Sequence, residues 1–304
     1  MKILVTGGAG FIGSNVVDAY VELGHEVLVA DDLSMGKTTN VNARAALHQL
    51  DVASPELVEL VLRERPDVIN HHAAQTSVRT SVENPLDDAR RNILASLNVL
   101  EACRQAGVGK LIYISSGGAI YGEPVALPAT EDNPIRADSP YGISKHTPEH
   151  YLDVYHRLYG QEYTVLRYGN VYGPRQDPFG EAGVIAIFTQ RMLDGEQPII
   201  YGSGEQERDF VFVGDVVAAN VAALERGAGQ AFNIGMGVAT TINQLYTLIA
   251  SATGYPNPVA YAEGKPGETF RIYLDISRAR ETLGWSPQVS LEDGLGRTVE
   301  SLRT

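Results

Sequence analysis

The sequence predicts an α/β protein: a Rossmann-type, doubly wound parallel sheet joined to a smaller α/β unit that interleaves with it along the chain. Two observations carry this prediction. Short β-branched runs alternate with longer helical patterns through the first half of the chain, and that repeated order predicts parallel strands. The runs are also continuously apolar, as is typical of strands that helices cover on both faces of a sheet.

The predicted elements follow one another from the first residues onward. We expect strands at KILVT, EVLVA, DVINHH, KLIYIS and YTVLRY, a further strand before Asp51, and helices over residues 13–23, 55–65, 85–106 and 141–159. After Tyr172 the chain breaks into Gly- and Pro-rich connections, which indicate loops. Residues 1–172 are therefore predicted to form the sheet unit and residues 173–304 mainly the smaller unit. A helix and strand at about residues 212–236 are expected to rejoin the sheet.

The composition excludes several classes of function. The net charge of −13 argues against nucleic acid as a partner, because phosphate binding needs clustered Lys and Arg. A single cysteine, Cys103, rules out a disulfide or a cysteine-based metal site within one chain. The first residues, MKILVTG, do not match a secretory signal, and no apolar run is long enough to span a membrane. We therefore expect a cytoplasmic protein with no membrane contact.

A glycine-rich turn, TGGAGFIG at residues 6–13, directly follows the first predicted strand and opens the first helix. Gly7 permits the tight turn, Gly10 lets a diphosphate approach the backbone, and Gly13 lets the helix pack closely on the strand. Phe11 and Ile12 lie at the helix N-terminus, which offers free N–H groups and the positive end of the helix dipole. In this context the turn predicts a dinucleotide site.

Acidic residues at the ends of the next strands indicate which dinucleotide binds. Asp31 and Asp32 follow the second strand about twenty residues past the glycine turn, where a carboxylate binds the ribose hydroxyls of NAD. Asp31 would repel the 2′-phosphate of NADP, although Lys37 lies nearby, so NAD is the predicted cofactor. Asp51 and Val52, after the third strand, lie where the adenine edge is expected, although an Asp at this position can equally cap a helix.

A tyrosine and a lysine four residues apart begin the helix that starts near residue 141. Tyr141 and Lys145 share one helical face, and an ammonium beside a phenol lowers the phenol pKa from its usual value of about 10. The strand KLIYIS ends at Ser115-Ser116, so the Ser116 hydroxyl can face Tyr141. The three side chains predict an acid–base site for a hydroxyl or carbonyl substrate.

The glycine turn, the strand-end serine and Tyr-x-x-x-Lys, in this order, resemble the extended short-chain dehydrogenase/reductase superfamily. The segments TGGAGFIG, SSGGAIYG, SPYGISK and RYGNVYGPRQ resemble, more specifically, the UDP-glucose (UDP-galactose) 4-epimerases. The resemblance runs from Met1 to about Trp285. It implies that Tyr141 is the catalytic base, that Lys145 lowers its pKa and binds the nicotinamide ribose, and that Ser116 orients the sugar 4-hydroxyl.

The resemblance also implies contacts with the cofactor and with a UDP-sugar substrate. The implied cofactor contacts are Asp31, Ala73, Ala74, Asn92 and Tyr168. The implied substrate contacts are Asn170, Val184, Ile185, Tyr201 and Arg208. Arg208 suits the diphosphate because its planar guanidinium can donate two parallel hydrogen bonds.

Three positions depart from the pattern of these epimerases. Many carry the strand-end hydroxyl where this chain has Gly117, a loop arginine where it has Lys265, and a large tyrosine near the sugar where it has Ile272. Lys265 is still expected to contact the diphosphate. Ile272 is expected to line the sugar pocket and to leave room for a 2-substituent such as an N-acetyl group.

The resemblance predicts NAD-dependent 4-epimerisation of a UDP-hexose, glucose or galactose and also the N-acetyl forms, through a transient 4-keto sugar. The alternatives are a 4,6-dehydratase or other NAD-dependent UDP-sugar-modifying enzyme, and a scaffold that binds NAD without turnover. His71-His72 lacks a third ligand at a suitable spacing, so no metal is expected. The helices around residues 92–106 and 141–159 are expected to form a homodimer interface, as they commonly do in this superfamily.

Overall fold

The computed structural model describes residues 1–179, 183–264 and 269–303. Its strands are β1 (Lys2–Thr6), β2 (Glu26–Asp31), β3 (Ala46–Gln49), β4 (Val68–His71), β5 (Lys110–Ser116), β6 (Glu162–Tyr168), β7 (Asn170–Tyr172), β8 (Ile199–Tyr201), β9 (Glu207–Arg208), β10 (Phe210–Phe212), β11 (Gln230–Ile234), β12 (Thr240–Thr241) and β13 (Ala260–Ala262). Its α-helices are α1 (Phe11–Glu22), α2 (Pro55–Glu64), α3 (Val78–Glu83), α4 (Pro85–Ala89), α5 (Ala95–Ala106), α6 (Pro140–Tyr159), α7 (Val184–Leu193), α8 (Val213–Glu225), α9 (Ile242–Thr253) and α10 (Leu291–Arg303). A 3₁₀ turn (Thr38–Asn40) and two π-helical turns (Arg90–Leu94 and Ala279–Leu283) complete the elements described.

Seven strands form one parallel sheet in the order β11-β6-β5-β4-β1-β2-β3. Helices cover both of its faces. Along β1, Ile3 and Val5 face the apolar layer beneath α1 and α8, while Leu4 between them faces the layer beneath α2, α5 and α6. The predicted doubly wound α/β fold is confirmed, and this alternation explains why apolar residues point to both faces of the strands.

The predicted helix at 85–106 is a continuous helical segment in which α4, a π-helical turn and α5 follow without a break. The π turn inserts one residue into the hydrogen-bond ladder, and such bulges are frequent at functional sites. Asn92 lies within this turn and is 1% exposed. The bulge therefore delivers a polar side chain into the interior, beside the ends of the sheet strands.

The smaller unit is built mainly from α7, α9 and α10 around a separate apolar cluster that includes Phe188, Leu245, Ile249 and Leu295. Three two-stranded ribbons accompany it: β7 with β10, β8 with β13, and β9 with β12. Between these elements the chain returns to the large sheet, where β11 pairs with β6. None of the described helices is both long and apolar enough to cross a membrane.

Candidate active site

The glycine turn between β1 and α1 has the geometry that its three glycines require. Gly7 has φ +68°, and a Cβ at this position would stand 2.6 Å from the backbone nitrogen of Ala73. A Cβ on Gly13 would stand 2.2 Å from the Gly7 carbonyl oxygen. Side chains at both positions are therefore excluded by backbone atoms, and the turn packs directly against the end of β4.

The N-terminus of α1 leaves its first N–H groups available to a ligand. Gly10 precedes the helix and supplies no side-chain cap, while a Cβ at this position would meet only the Gly7 carbonyl oxygen, at 3.2 Å. Phe11 and Ile12 pack their side chains against apolar clusters, so they present backbone groups rather than side chains. Uncapped helix N–H groups beside a glycine turn suit a diphosphate.

Asp31, at the end of β2, lies beside this turn and is 6% exposed. Its carboxylate accepts hydrogen bonds from the backbone nitrogens of Ala9 and Leu33, each at 2.9 Å. Burial raises the pKa of this carboxyl above its usual value, although the two hydrogen bonds act in the opposite direction. A carboxylate has about four acceptor positions, so two remain for ribose hydroxyls. The glycine turn and Asp31 together fit NAD.

Three other predicted cofactor residues at the strand ends play more local roles. The Asp32 carboxylate accepts from the backbone nitrogen and the hydroxyl of Ser34, which closes the loop after β2. The backbone nitrogen of Lys37 donates to the carbonyl of Ala9 at 3.0 Å, and the Lys37 side chain is exposed. Asp51 accepts from the Ala53 nitrogen at 2.8 Å and pairs with Arg90 at 2.5 Å.

Two of the predicted residues, Asp51 and Val52, follow β3. Asp51 does not cap α2, because that helix begins at Pro55 and Ser54 occupies the cap position. Val52 is 8% exposed and packs in the apolar layer under α2 and α5. Its side chain is therefore a core residue, and only its backbone borders the strand ends where adenine was expected.

Tyr141 lies in the first turn of α6, opposite the end of β5. The helix begins here because the Ser139 hydroxyl accepts from the Gly142 nitrogen at 3.2 Å and Pro140 occupies the first helical turn. Ser116 is the last residue of β5, and its hydroxyl lies close enough to the Tyr141 phenol to lower the pKa of that phenol against the effect of burial. The structure thus places the predicted base and the predicted hydroxyl near one another.

The hydroxyl of the neighbouring Ser115 is hydrogen-bonded to other groups. Its hydroxyl donates to the Glu149 carboxylate at 2.6 Å and contacts the Lys145 carbonyl at 3.4 Å. A side chain at position 117 is excluded, because a Cβ on Gly117 would stand 2.7 Å from Leu274 Cδ1. Of the three residues at this strand end, Ser116 alone therefore presents a hydroxyl to Tyr141.

Lys145 is 5% exposed, and its ammonium nitrogen lies 4.9 Å from the centre of the Tyr113 ring. Burial lowers its pKa to about 8, against the opposing charges of Glu149 and Asp88. Burial also raises the pKa of Tyr141 to about 12. The expected fall in the pKa of Tyr141 is therefore not found in the chain without ligand, because desolvation of the phenolate is the largest effect.

The Asn92 side chain connects two segments of the chain through its hydrogen bonds. Its side-chain oxygen accepts from the Gln75 nitrogen at 2.8 Å, and its amide nitrogen donates to the Gln75 carbonyl at 3.0 Å, to Asp88 at 3.1 Å and to Ser144 at 3.0 Å. The loop after β4 is thereby tied to the first turn of α6. Direct contact between this amide and a cofactor was predicted, but its hydrogen-bonding groups are already used within the chain.

Other predicted residues border the same strand ends. Ala73 and Ala74 are half-buried in the loop after β4, and the Ala73 nitrogen donates to the Thr6 hydroxyl at 3.3 Å. Asn170 is exposed at the start of β7, and a Cβ on Gly118 would lie 3.5 Å from its side-chain oxygen. Asn170 therefore stands across from the residues that follow Ser116.

The predicted substrate contacts of the smaller unit lie on α7, β8 and β9. Val184 and Ile185 occupy the first turn of α7, where Val184 is half-buried, whereas Ile185 is 1% exposed in the apolar cluster and can meet a ligand only through its backbone. Tyr201 is 42% exposed at the end of β8. Arg208 Nη1 donates to the carbonyls of Glu207 and Phe270 at 2.9 and 3.2 Å. Lys265 lies outside the described residues.

Two predicted contacts are closed off by packing. Ile272 is 1% exposed and packs in a cluster with Ile120, Tyr121 and Leu274, so the prediction that it lines the sugar pocket is wrong. Tyr168 is 4% exposed, and its hydroxyl accepts from Asn220 at 2.6 Å. The side chain of Tyr168 is therefore closed to a cofactor, contrary to prediction.

The paired histidines lie at the end of β4, where His71 is buried in the last position of the strand and His72 follows it half-buried. His71 lies between the hydroxyls of Thr6 and Ser96, at 2.6 and 3.1 Å. Burial lowers the pKa of His71 and of His72 to about 3, so both are neutral. The described part of the chain holds no group of three or more His, Cys, Asp or Glu side chains placed to bind a metal ion.

Two buried carboxylates near the site were not predicted. Asp209 is 2% exposed and accepts from the backbone nitrogens of Met236, Gly237 and Leu274 at 2.6, 3.1 and 3.1 Å. Burial raises its pKa to about 6. Asp88 is 1% exposed on α4. Asp209 has no spacing signal, because the segments that bind it are distant in sequence, whereas Asp88 lies four residues before Asn92 on one helical segment, a spacing that could have indicated their contact.

Comparison with known proteins gives a consistent result. A model of the NAD dependent epimerase/dehydratase family matches residues 3–235. A protein of Methanocaldococcus jannaschii named putative UDP-glucose 4-epimerase is 47% identical over 99% of this chain and 98% of its own. UDP-glucose 4-epimerase of Mycolicibacterium smegmatis is 45% identical over 100% of this chain and 99% of its own.

Solved structures are equally similar. UDP-glucose 4-epimerase of Thermotoga maritima, solved with UDP-glucose, has a TM-score of 0.98 and 50% identity and covers 100% of this chain and 99% of its own. UDP-glucose 4-epimerase of Thermus thermophilus, solved with NAD, has a TM-score of 0.95 and 45% identity, with the same coverage.

Proposed function

The chain belongs to the NAD-dependent epimerase/dehydratase family, and from that premise we propose that it is an isomerase that epimerises a UDP-hexose at C4. The four relatives described above, which are 45–50% identical and match it over nearly their whole length, carry the name UDP-glucose 4-epimerase, in one case as putative. Within this chain, the observation that carries the proposal is the placement of Tyr141 in the first turn of α6 and of Ser116 at the end of β5, on which α6 packs, so that Ser116 acts on the pKa of the Tyr141 phenol. That pair can hold one sugar hydroxyl and take its proton.

The residues around the glycine turn divide the binding of NAD among them. The turn of Gly7, Gly10 and Gly13 and the N-terminus of α1 receive the diphosphate, and Asp31 receives the ribose hydroxyls. Lys145 stays beside Tyr141 to bind the nicotinamide ribose. When bound, NAD supplies the acceptor of the C4 hydride, the donor for its return, and in its oxidised form a positive charge that favours the Tyr141 phenolate.

The side chains move the proton. Tyr141, as phenolate, accepts the proton of the sugar 4-hydroxyl, while Ser116 donates a hydrogen bond that holds that oxygen in place. After the 4-keto sugar has turned over, Tyr141 returns the proton to the same oxygen. The ammonium of Lys145 keeps a positive charge next to Tyr141 and Ser116. This charge favours the Tyr141 phenolate in each catalytic cycle.

The smaller unit grips the nucleotide and leaves the sugar free to turn. Arg208 and the backbone N–H groups at Val184 and Ile185 receive the diphosphate, with Lys265 as a further cation. Asn170 and Tyr201 flank them on the same side of the sheet. Because the diphosphate is bound tightly and the sugar weakly, the 4-keto sugar can rotate and present its opposite face without release of the substrate.

The two alternatives lack support in the residues. A 4,6-dehydratase needs acidic residues after the strand-end hydroxyl to eliminate water, and this chain has Gly117, Gly118 and Ala119 there. A scaffold that binds NAD without turnover has no use for Tyr141 placed near Ser116. The epimerase therefore remains the function that accounts for both side chains.

The division of the chain follows from these roles. We assign residues 1–172, with about 212–236, to NAD binding and residues 173–304 mainly to the UDP-sugar, since β11 and α8 lie with the large sheet. We also propose a cytoplasmic enzyme, because its single Cys103 is buried and unpaired, as suits a reducing compartment.

We further propose a homodimer through the helices around residues 92–106 and 141–159. Exposed apolar side chains on these helices support it: Leu94, Ile143, Tyr151, Val154, Leu158 and Tyr159 are each at least 36% exposed. Sedimentation of the purified protein at about twice the mass of the chain is the expected result. A monomer at micromolar concentration would overturn this part of the proposal.

The substrate is best tested with a panel of separate incubations. UDP-glucose, UDP-N-acetylglucosamine and UDP-glucuronate are each mixed with purified protein, and the 4-epimers are separated by chromatography. We expect UDP-galactose from UDP-glucose. Absence of any 4-epimer from all three would contradict the proposed function, and elimination of water would favour the dehydratase.

A further inference from the structure

Asp88 is a buried acidic side chain that the catalytic scheme does not use. It is 1% exposed near the end of α4. Among the described residues, the ion pairs of this region engage its neighbours instead: Asp87 pairs with Arg91 at 3.0 Å, and Asp51 pairs with Arg90 at 2.5 Å. A buried carboxylate without an ion-pair partner is costly to keep unless its charge has a use.

A chain of buried hydrogen bonds connects Asp88 to the first turn of α6. One carboxylate oxygen accepts from Gln75 Nε2 at 2.8 Å and from Asn92 Nδ2 at 3.1 Å. The Asn92 amide also donates to the Ser144 hydroxyl at 3.0 Å, and that hydroxyl donates to the Tyr141 carbonyl at 3.0 Å. Asp88 is thus held in a fixed position behind the base.

The other charged groups around Tyr141 and Lys145 are already balanced or neutral. Glu149, one turn after Lys145, also raises the pKa of Lys145, but its own charge is paired with Arg167 at 2.6 Å. The titratable groups that face the pair from β4 and β5 are His71, His72 and Tyr113, and burial keeps each of them uncharged near neutral pH. On the exposed side of α3, Arg79 pairs with Glu83 at 2.9 Å. Within the described chain, Asp88 is therefore the negative charge near the pair with no cation bound to it.

The charge of Asp88 shifts the pKa of Tyr141 and the pKa of Lys145 in the same direction. A nearby negative charge favours the ammonium of Lys145 and disfavours the phenolate of Tyr141, so it raises the pKa of each. Burial is the largest effect on Lys145 and brings its pKa down to about 8 even with the nearby charges of Glu149 and Asp88 in place. Without Asp88, Lys145 would lose its proton at still lower pH, and the base would lose the positive charge beside it.

We propose that Asp88 is a positioning residue whose buried charge keeps Lys145 protonated across the working pH range. It does so without touching substrate, while its hydrogen bonds hold Gln75 and Asn92 in place. The proposal rests on the proposed function only for the kinetic readout, since ionisation of the pair can be followed without turnover.

Asp88→Asn is the variant that tests the charge. The amide oxygen can still accept from Gln75 and Asn92, so the hydrogen bonds are kept while the charge is removed. We expect both limbs of the pH profile of kcat for the NAD-loaded enzyme to move to lower pH by roughly half a unit or more. The matched control is Asp87→Asn on the same helix, which should leave the profile in place because Asp87 is balanced by Arg91.

A second measurement separates this proposal from the proposed function. The near-ultraviolet absorbance of the Tyr141 phenolate, taken as the difference from Tyr141→Phe protein, should appear at lower pH in Asp88→Asn. This holds whether or not the chain epimerises a sugar. Asp88→Ser removes the same charge with a smaller side chain and serves if the Asn variant does not fold, while Asp88→Glu should restore the original profile. A uniform loss of kcat with unmoved pH limbs and an unmoved phenolate band would overturn the proposal.

Discussion

Leu274 lies against Gly117, so that a Cβ at position 117 would stand 2.7 Å from Leu274 Cδ1 and 3.1 Å from the Arg167 carbonyl oxygen. This contact explains why the hydroxyl at the end of β5 comes from Ser116. Many relatives in this family are expected to carry it one residue later, where this chain has no room.

Gly117→Ser should therefore harm the protein rather than add a second catalytic hydroxyl. Displacement of Leu274 from its packed cluster should lower the free energy of unfolding by roughly 1–3 kcal/mol, and turnover should fall with it. Gly118→Ser is the matched control, because a Cβ there meets only the Asn170 side-chain oxygen at 3.5 Å. Denaturant unfolding of both variants checks the prediction, and a Gly117→Ser protein as stable as the wild type would contradict it.

Ile272→Tyr should lower the stability of the fold and leave the substrate specificity unchanged. Ile272 is 1% exposed among Ile120, Tyr121 and Leu274, and the larger ring has no open space to enter. We expect a loss of roughly 1–3 kcal/mol in the free energy of unfolding, as is usual for overpacking. The ratio of kcat/KM for UDP-glucose and UDP-N-acetylglucosamine should stay the same. A stable variant with a selective loss of the acetylated substrate would place Ile272 back in the sugar pocket.

The activity of the wild type should decrease as the pH rises through about 8. Burial lowers the pKa of Lys145 to about 8, so its ammonium is present below that pH and is lost above it. Lys145→Arg, whose guanidinium stays charged, should lack this alkaline limb, while Lys145→Met should lose most turnover at every pH. Rate profiles of the three proteins measure this. An alkaline limb that persists unchanged in Lys145→Arg would assign it to another group.

Asp31 should make the enzyme retain NAD rather than NADP. Its buried carboxylate accepts from Ala9 and Leu33 and keeps two acceptor positions, which favour ribose hydroxyls and repel a 2′-phosphate. Nucleotide released by denaturation of the purified protein identifies the cofactor. We expect NAD from the wild type and little bound nucleotide from Asp31→Ala, and release mainly of NADP would refute the assignment.

The fold was predictable because one physical pattern repeats: apolar strands alternate with amphipathic helices, and burial on both faces removes polar residues from the strands. The glycine turn was predictable for a similar reason, since Gly7 and Gly13 meet backbone atoms at distances that no side chain tolerates. Tyr141 and Lys145 also follow from spacing along one helix.

The remaining features depend on segments that are far apart along the chain. Asp88 gains its role from Gln75 and the π turn that carries Asn92, and no local pattern marks a π turn. The position of Ile272 matched the sugar-facing tyrosine of relatives, but its burial depends on Ile120 and Leu274. The pKa of Tyr141 was predicted in the wrong direction because charge can be read from a sequence, whereas the cost of desolvation cannot.

The central claim is that hydride leaves C4 of the sugar and returns to the same carbon of the same molecule while Tyr141 carries the proton. UDP-galactose with deuterium at C4 is incubated with the purified enzyme, without added NAD, and the UDP-glucose formed is analysed by mass spectrometry. We expect the product to retain deuterium at C4, and Tyr141→Phe to slow its formation by roughly 10²–10⁴-fold. Loss of the label to solvent, or no UDP-glucose at all, would contradict the account.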